Sequence, residues 1–491
     1  MEAKQQKEKR IHDICKFIVE GVTIIYDRNT QTIELSSNGG VLCPDWLEKA
    51  GIDRDGVRSI KVSGGTVRLP ENATGYHDEN MISRPALFGE LLCLQTIDMD
   101  GFDTSLVTNM NSMFQNCRAL QRINAKNMDT SKTTDMGLMF DKCFNLTDID
   151  LSNFNTSQVT DMRAMFRKCS DLTNLDLSGF DTSKVTDMGS MFYNCKSLEY
   201  LDPSSFDTSN VTDMNHMFSG CQRLTSLVLG NFDTSKVTDM RGMFCDCNNL
   251  TDLDLSGFDT LNTTDMGFMF KNCSSLTRLN ISSFNTSNVT DMSEMFCGCY
   301  GITDLDISCF NTSNVTRMQE TFSGCSSLTA LNVSSFDTSK VINIAGIFSH
   351  CGALTTLDLN NFNTSDVKDM DYMFNGCKSL TYLNLSNFDT KKARRMCALF
   401  QDCSGLEKID ITGWDTSHTI TMRSMFEGCS GLTRLDLSGF NISSIQDMSR
   451  MFYGCTKLKS IIIQVSTGHN TGTGNMFDGC PKDIEIQEEL K

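Results

Sequence analysis

A chain of 491 residues with 61 acidic against 43 basic side chains carries a net charge of -18. That charge argues against nucleic acid as a main partner, because phosphate binding needs a basic footprint, and it favours solubility and a basic partner. No stretch approaches the ~20 apolar residues of a membrane span, so no spanning segment is expected.

The first residues, Met1 to Arg10, are basic, and the run from Ile14 to Gly21 is interrupted by Lys16 and Glu20. That is a poor signal-peptide core. Either the chain is cytosolic, or an export signal has been removed, or export is unconventional. Residues 4–20 place Ile11, Ile14, Phe17 and Ile18 on one helical face, which predicts an amphipathic helix. Val22 to Tyr26 and Gln31 to Leu35, joined by Asp27 to Thr30, read as a hairpin. Strand-like alternation continues through Val57, Ile60, Val62, Val67 and Leu69 to Pro70. We read residues 1–95 as a helix and hairpin cap covering the open end of the stack that follows.

From about residue 96 one phrase returns every 26 residues. Cysteine recurs at 117, 143, 169, 195, 221, 247, 273, 299, 325, 351, 377, 403, 429 and 455, without a slip. Phenylalanine keeps the same beat from Phe114 to Phe452, and a second aromatic beat runs from Phe102 to Phe440, with Met128 and Trp414 as its exceptions. An uninterrupted period of this kind means stacked coils, because one inserted residue would take every later side chain out of its column. The predicted fold is an α/β repeat solenoid of 14 coils spanning 96–480, with residues 481–491 as a C-terminal edge tail.

Within a coil, Leu172, Leu175 and Leu177 read as a short strand with its apolar residues pointing inward. Asp181, Thr182 and Ser183 form a cluster that bonds local backbone in a turn. Val185, Met188, Met191 and Phe192 then fall at helical spacing, with Thr186 as cap and Asp187 in the first turn. The expectation is one parallel sheet, about 65 Å long if each strand adds ~4.8 Å, with short helical turns on the opposite side. The repeated cysteines are expected to be reduced, packed thiols, since parallel side-chain vectors do not favour a disulfide.

The phrase from Leu177 to Phe192, Leu-Ser-Gly-Phe-Asp-Thr-Ser-Lys-Val-Thr-Asp-Met-Gly-Ser-Met-Phe, resembles the BspA-like leucine-rich repeat of bacterial surface proteins, also known as DUF285, the mycoplasma lipoprotein-associated repeat. The segment from Ser59 to Pro70 is similar to the stretch preceding the repeats in such proteins. The resemblance covers about 100–480. It implies a curved solenoid and a role in adhesion or protein binding at a cell surface, although similar repeats also occur in protists and large viruses.

Between the inward columns, strand residues must face out. One outward column holds Asp150, Asp176, Asp202, Asp254, Asp306, Asp358, Asp410 and Asp436, with Asn124, Asn280, Asn332 and Asn384 in four further places. Carboxylates one coil apart repel one another, so amides, cations or a basic partner must relieve them. Two residues earlier the composition varies freely, and Tyr200, Arg278, Tyr382 and Arg434 there are of the types that anchor interfaces. Lys391, Lys392, Arg394 and Arg395 replace the usual uncharged loop in one coil, either pairing with aspartates such as Asp369 or docking an acidic partner.

Catalysis finds no support in the pattern. The histidines at 12, 77, 216, 350, 418 and 469 are scattered, and neither a phosphate loop nor a zinc spacing is present. Cys245-Asp-Cys247 and Cys297-Gly-Cys299 lie two coils apart, too far to form one four-ligand site. No cofactor and no metal are expected. The sequence therefore reads as a non-enzymatic solenoid that binds a protein or glycoconjugate through its acidic strand face, at a cell surface or after secretion by resemblance. An intracellular interaction scaffold is the alternative.

Overall fold

The computed structural model describes residues 13–77, 83–464 and 472–489. His12 and His469 lie outside them. Contacts divide the chain into two compact units, 1–236 and 237–491.

The first unit begins with strands β1 (Ile14–Val19), β2 (Val22–Asp27) and β3 (Thr32–Val41), followed by a single helical turn α1 (Trp46–Lys49) and strand β4 (Ser59–Arg68). β1 and β2 pair antiparallel, as do β2 and β3, so the expected hairpin is present. The amphipathic helix expected over 4–20 is not. Its described part is β1, and residues 4–12 lie outside the described set. Glu20 and Gly21, at φ 49° and 79°, make the tight left-handed loop that returns β1 onto β2. β4 then runs parallel to β3 and to Thr96–Asp98, which pairs in turn with Arg122–Asn124. The N-terminal strands are thus hydrogen-bonded to the first coils of their unit.

Each later coil has the predicted inward columns, but the side opposite the strands holds successive β-turns in place of helix. Backbone accounting for one coil shows why. The N–H groups of Met188, Ser190, Phe192 and Asn194 donate to the carbonyls of Asp213, Asn215, Met217 and Ser219 in the next coil, at 3.1, 2.7, 2.9 and 2.7 Å. The N–H groups between them, on Met191, Tyr193 and Cys195, close turns onto Met188, Ser190 and Phe192 at 3.2, 3.0 and 3.1 Å. An α-helix would spend every one of these donors within the coil and leave none for its neighbour. Asp187 satisfies the remaining donor, the N–H of Gly189, through Oδ1 at 2.8 Å. It caps a turn, and there is no helix dipole for it to serve. The turns need a left-handed residue twice per coil, supplied here by Ser190 (φ 58°) and Asn194 (φ 60°).

The inward columns are buried and largely apolar. In the second unit the Phe244, Phe270, Phe296 and Phe322 rings stack in turn at centroid spacings of 5.8, 5.5 and 5.6 Å. The other aromatic column is wider, at 6.5 Å between Phe310 and Phe336 and between Phe362 and Phe388. Trp414 fits that column because its indole N–H donates to the Leu385 carbonyl at 3.0 Å. The column cysteines are buried, and nearly all are seen to donate Sγ–H to a phenylalanine carbonyl one coil back, as Cys169 does to Phe140 at 3.2 Å. Burial pushes the Cys195 thiol up to about 12.

A buried threonine column staples the coils between the strands and the turns. Thr312 Oγ1 donates to the Asp337 carbonyl at 2.8 Å and accepts the Asp337 N–H at 2.7 Å. Its hydroxyl therefore does the work of a ladder pair. Asp181, next to the equivalent Thr182, closes the local turn expected of it by accepting from the N–H and hydroxyl of Ser183 at 3.0 and 2.6 Å.

On the strand side the expected single sheet is interrupted. Tyr200–Leu201 pairs with Ser226–Leu227 in the first unit. In the second, Asp252–Asp254 pairs with Arg278–Asn280, Tyr382–Asn384 with Lys408–Asp410, and Arg434–Leu437 with Ser460–Gln464, which pairs with Glu485–Glu489. No strand is present between Asn280 and Tyr382. In this unit adjacent coils are held tightly at their turns and more loosely at their strands.

Candidate functional site

The strand face presents two outward columns, and they differ in how far the fold has already used them. Every member of the aspartate column accepts, through Oδ1, the N–H two residues further on. These bonds are 2.9–3.1 Å for Asp150, Asp176, Asp202, Asp254, Asp306, Asp358, Asp410 and Asp436. Asp150 and Asp410 also take a hydroxyl, from Ser152 and Thr412, at 2.6 and 2.8 Å. Serine hydroxyl and N–H donation holds the Asp150 and Asp202 carboxyls below the usual range, and at Asp176, Asp254 and Asp306 the N–H is the larger cause. Repulsion between coils, expected to dominate, is a lesser influence, because each carboxylate is stabilised locally first. The column is a row of turn caps, exposed in every member but the half-buried Asp410.

The variable column is exposed and carries side chains that no turn requires. Tyr200 is 57% and Tyr382 46% exposed. Tyr200 reaches Asp202 through its hydroxyl at 3.4 Å, and Arg278 pairs with Asp252 at 2.6 Å. Lys408 sets its ammonium 5.5 Å from the Tyr382 ring centroid. Arg434 is exposed at the start of its strand. Sequence reasoning placed all of these outward but missed what lies between them. A hollow of about 530 Å³ opens in the second unit, lined by residues of the coils around Ala330, Thr356 and Tyr382.

Of the four cations in the irregular loop, two are engaged by the preceding coil. Lys392 meets Asp366 at 2.5 Å. Arg395 pairs with Asp371 through Nη2 and lies 3.4 Å from Asp369 through Nε. Lys391 and Arg394 are exposed. Another grouping lies on the turn side, where Glu294, Cys297 and Glu320 bring three ligand-type atoms within 4.8 Å of one another. Burial and the Glu294 charge raise the Glu320 carboxyl, and burial pushes the Cys297 thiol to about 11. The ammonium of Lys271 is ion-paired to Glu294, so this cluster already holds a cation. The glutamates were not picked out from the sequence because they occupy left-handed turn positions, φ 54° in each, that vary freely from coil to coil.

Repeating inward columns, short parallel strands and a hydrogen-bonded turn ladder define a solenoid of the leucine-rich-repeat class, an architecture suited to protein interaction. Five tandem matches, at 86–201, 199–304, 276–382, 299–408 and 377–487, fall to the family described as "Mycoplasma protein of unknown function, DUF285". The chain belongs to that family.

Among solved structures, the chain is similar to a leucine-rich repeat protein from Bacteroides ovatus, at 15% identity and a TM-score of 0.37, covering 96% of this chain and 100% of that one. It is also similar to a leucine-rich cell surface protein from Faecalibacterium prausnitzii, at 14% identity, a TM-score of 0.26 and coverages of 97% and 95%. A third is a leucine-rich repeat protein from Eubacterium ventriosum, at 15%, 0.32 and 95% of each chain. No curated protein matches the chain in sequence. No helix among the described residues is long and apolar enough to cross a membrane.

Proposed function

We propose that this protein is a non-enzymatic binding solenoid that engages a protein or glycoconjugate through its strand face, in a surface or secreted adhesion role. The observation that supports this most is the contrast between the two outward columns. The aspartates are consumed as turn caps, whereas the neighbouring column exposes Tyr200, Arg278, Tyr382 and Arg434. Exposed tyrosines and arginines that no turn requires are of the types that dominate binding energy at interfaces. The Oδ2 atoms of the caps give the same face its negative field, which favours a basic or hydroxyl-rich surface. An intracellular scaffold would use the same face, and the buried thiols suit a reducing compartment.

The test compares retention of the full chain's targets by the wild type, by a triple variant with Tyr200, Arg278 and Arg434 changed together to alanine, and by the turn-side control Arg423→Ala. Binding lost in the triple variant and kept in the control supports the strand face; binding kept in both discards it. Protease shaving of intact cells separates the two locations. A protein that shaving leaves uncleaved removes the adhesion role.

A further inference from the structure

We infer that the hollow around Thr356 is a subsite for one pyranose ring of a neutral glycan, an inference that rests on the strand face being the binding face. Its origin is local. In the variable column Ala330 and Thr356 are small where other coils carry Arg278, Lys408 or Arg434. Their coils also lie in the stretch without strand pairing. The result is a recess of about 530 Å³, within the range of roughly 300–1,000 Å³ typical of small-ligand sites. Its apolar lining includes Leu357, which is half-buried where the equivalent Leu383 is fully buried.

Tyr382 forms one wall. The Lys408 ammonium attends this ring from the following coil, and most of the remaining lining comes from the two preceding coils. The rim is a row of Asn332, Asp358 and Asn384, and their turn bonds fix what each can offer. Asn332 and Asn384 accept through Oδ1 from the N–H groups of Ser334 and Ser386 at 3.0 and 3.2 Å, which leaves each Nδ2 free to donate. Asp358 accepts the Asn360 N–H at 3.0 Å through Oδ1, which leaves Oδ2 as an outward acceptor. The rim therefore reads donor, acceptor, donor, with a single charge among the three.

A ligand for this recess needs a flat apolar face for the leucines and tyrosine, and an edge of groups that both give and accept hydrogen bonds. A pyranose has C–H faces and a belt of hydroxyls, and a hydroxyl can do either. Asp358 is the only charged residue in the lining and would repel an anion, so a neutral sugar is favoured over sulfated or sialylated ones.

The experiment is an array of neutral and anionic oligosaccharides probed with the full chain, with Tyr382→Ala, with Ala330→Arg and with the turn-side control Arg423→Ala. Ala330 is exposed, and arginine already stands at that column position in other coils, so Ala330→Arg fills the recess without disturbing the core. The expected result is wild-type binding to a subset of neutral glycans, weakened about tenfold or more by Tyr382→Ala and Ala330→Arg, as for loss of an interface anchor, and unchanged in the control. Absence of neutral-glycan binding by the wild type overturns the inference, as does binding indifferent to both recess variants. A protein target whose capture survives periodate oxidation but is lost with Ala330→Arg overturns the glycan and keeps the strand face. Capture that survives oxidation and both recess variants overturns the subsite, and the strand face then stands or falls with the multi-site variant above.

Discussion

Replacing Thr312 by valine tests the coil-to-coil staple with almost no change of shape. The Thr312 side chain is 1% exposed, and its hydroxyl serves both backbone groups of Asp337, at 2.8 and 2.7 Å. Valine fills the same volume but strands a donor and an acceptor away from water. Each unsatisfied group costs about 1–3 kcal/mol when buried. Asp337 lies at the edge of the buried region, so the low end applies and the pair should cost about 2–4 kcal/mol. Thr312→Ser keeps the hydroxyl and loses one methyl, worth about 1 kcal/mol. Urea unfolding of the full chain, followed by tryptophan and far-ultraviolet signals, should place the valine midpoint well below that of serine, and serine just below wild type. A valine variant as stable as wild type, or less damaging than serine, refutes the staple and makes Thr312 merely a filler of the core.

Four further outcomes follow from the turn side, the charges and the buried thiols. Gly376 sits at φ +72°, where an added Cβ would lie 2.6 Å from His350 Nδ1, so Gly376→Ala should cost about 1–2 kcal/mol. Lys168→Gly, at φ 63°, should be neutral or gain up to about 1 kcal/mol, both read by urea midpoint. Burial, with the Asp161 and Asp213 charges nearby, raises the Asp187 carboxyl. A raised carboxyl destabilises the fold when ionised, so its protonation favours folding. The capped carboxyls such as Asp150 and Asp254 are lowered, and their contribution is present above the unfolded value of about 3.9 and lost below it. Thermal midpoints should thus rise slightly on acidification towards pH 4 and then fall, and Asp187→Asn should diminish the rise. Iodoacetamide at pH 8 should leave column thiols such as Cys195 and Cys377, both pushed up to about 12, unmodified in the native protein by mass spectrometry, and modify them after unfolding.

The columns were legible in the sequence because a fixed period leaves only one way to stack Phe114, Cys117 and Leu120 above their copies. The turns were misread as helix for an equally physical reason. Val185, Met188, Met191 and Phe192 do point inward together, and successive turns reproduce helical spacing on that face. A corrective signal was present one residue before each cysteine, where Asn116, Asn194, Gly220, Gly298 and Gly376 recur as the types that tolerate a left-handed backbone. The aspartate column faced outward as expected, but each aspartate also caps the N–H two places on, usually of a serine or threonine and at Asp358 of Asn360. That pairing was visible in the sequence and went unread. The recess could not be seen at all. It arises from two small residues, Ala330 and Thr356, in a column that varies everywhere, in a stretch without strand pairing.

Residue-resolved amide hydrogen exchange on the folded protein tests the ladder most directly. The amides of Ser190, Phe192 and Asn194 and their copies, which donate from coil to coil, should exchange slowest in each repeat, while those at 304–306, 330–332 and 356–358 exchange early. Strand amides protected more strongly than the turn amides, or donors at 188–194 bonded four residues back as in a helix, would contradict the ladder.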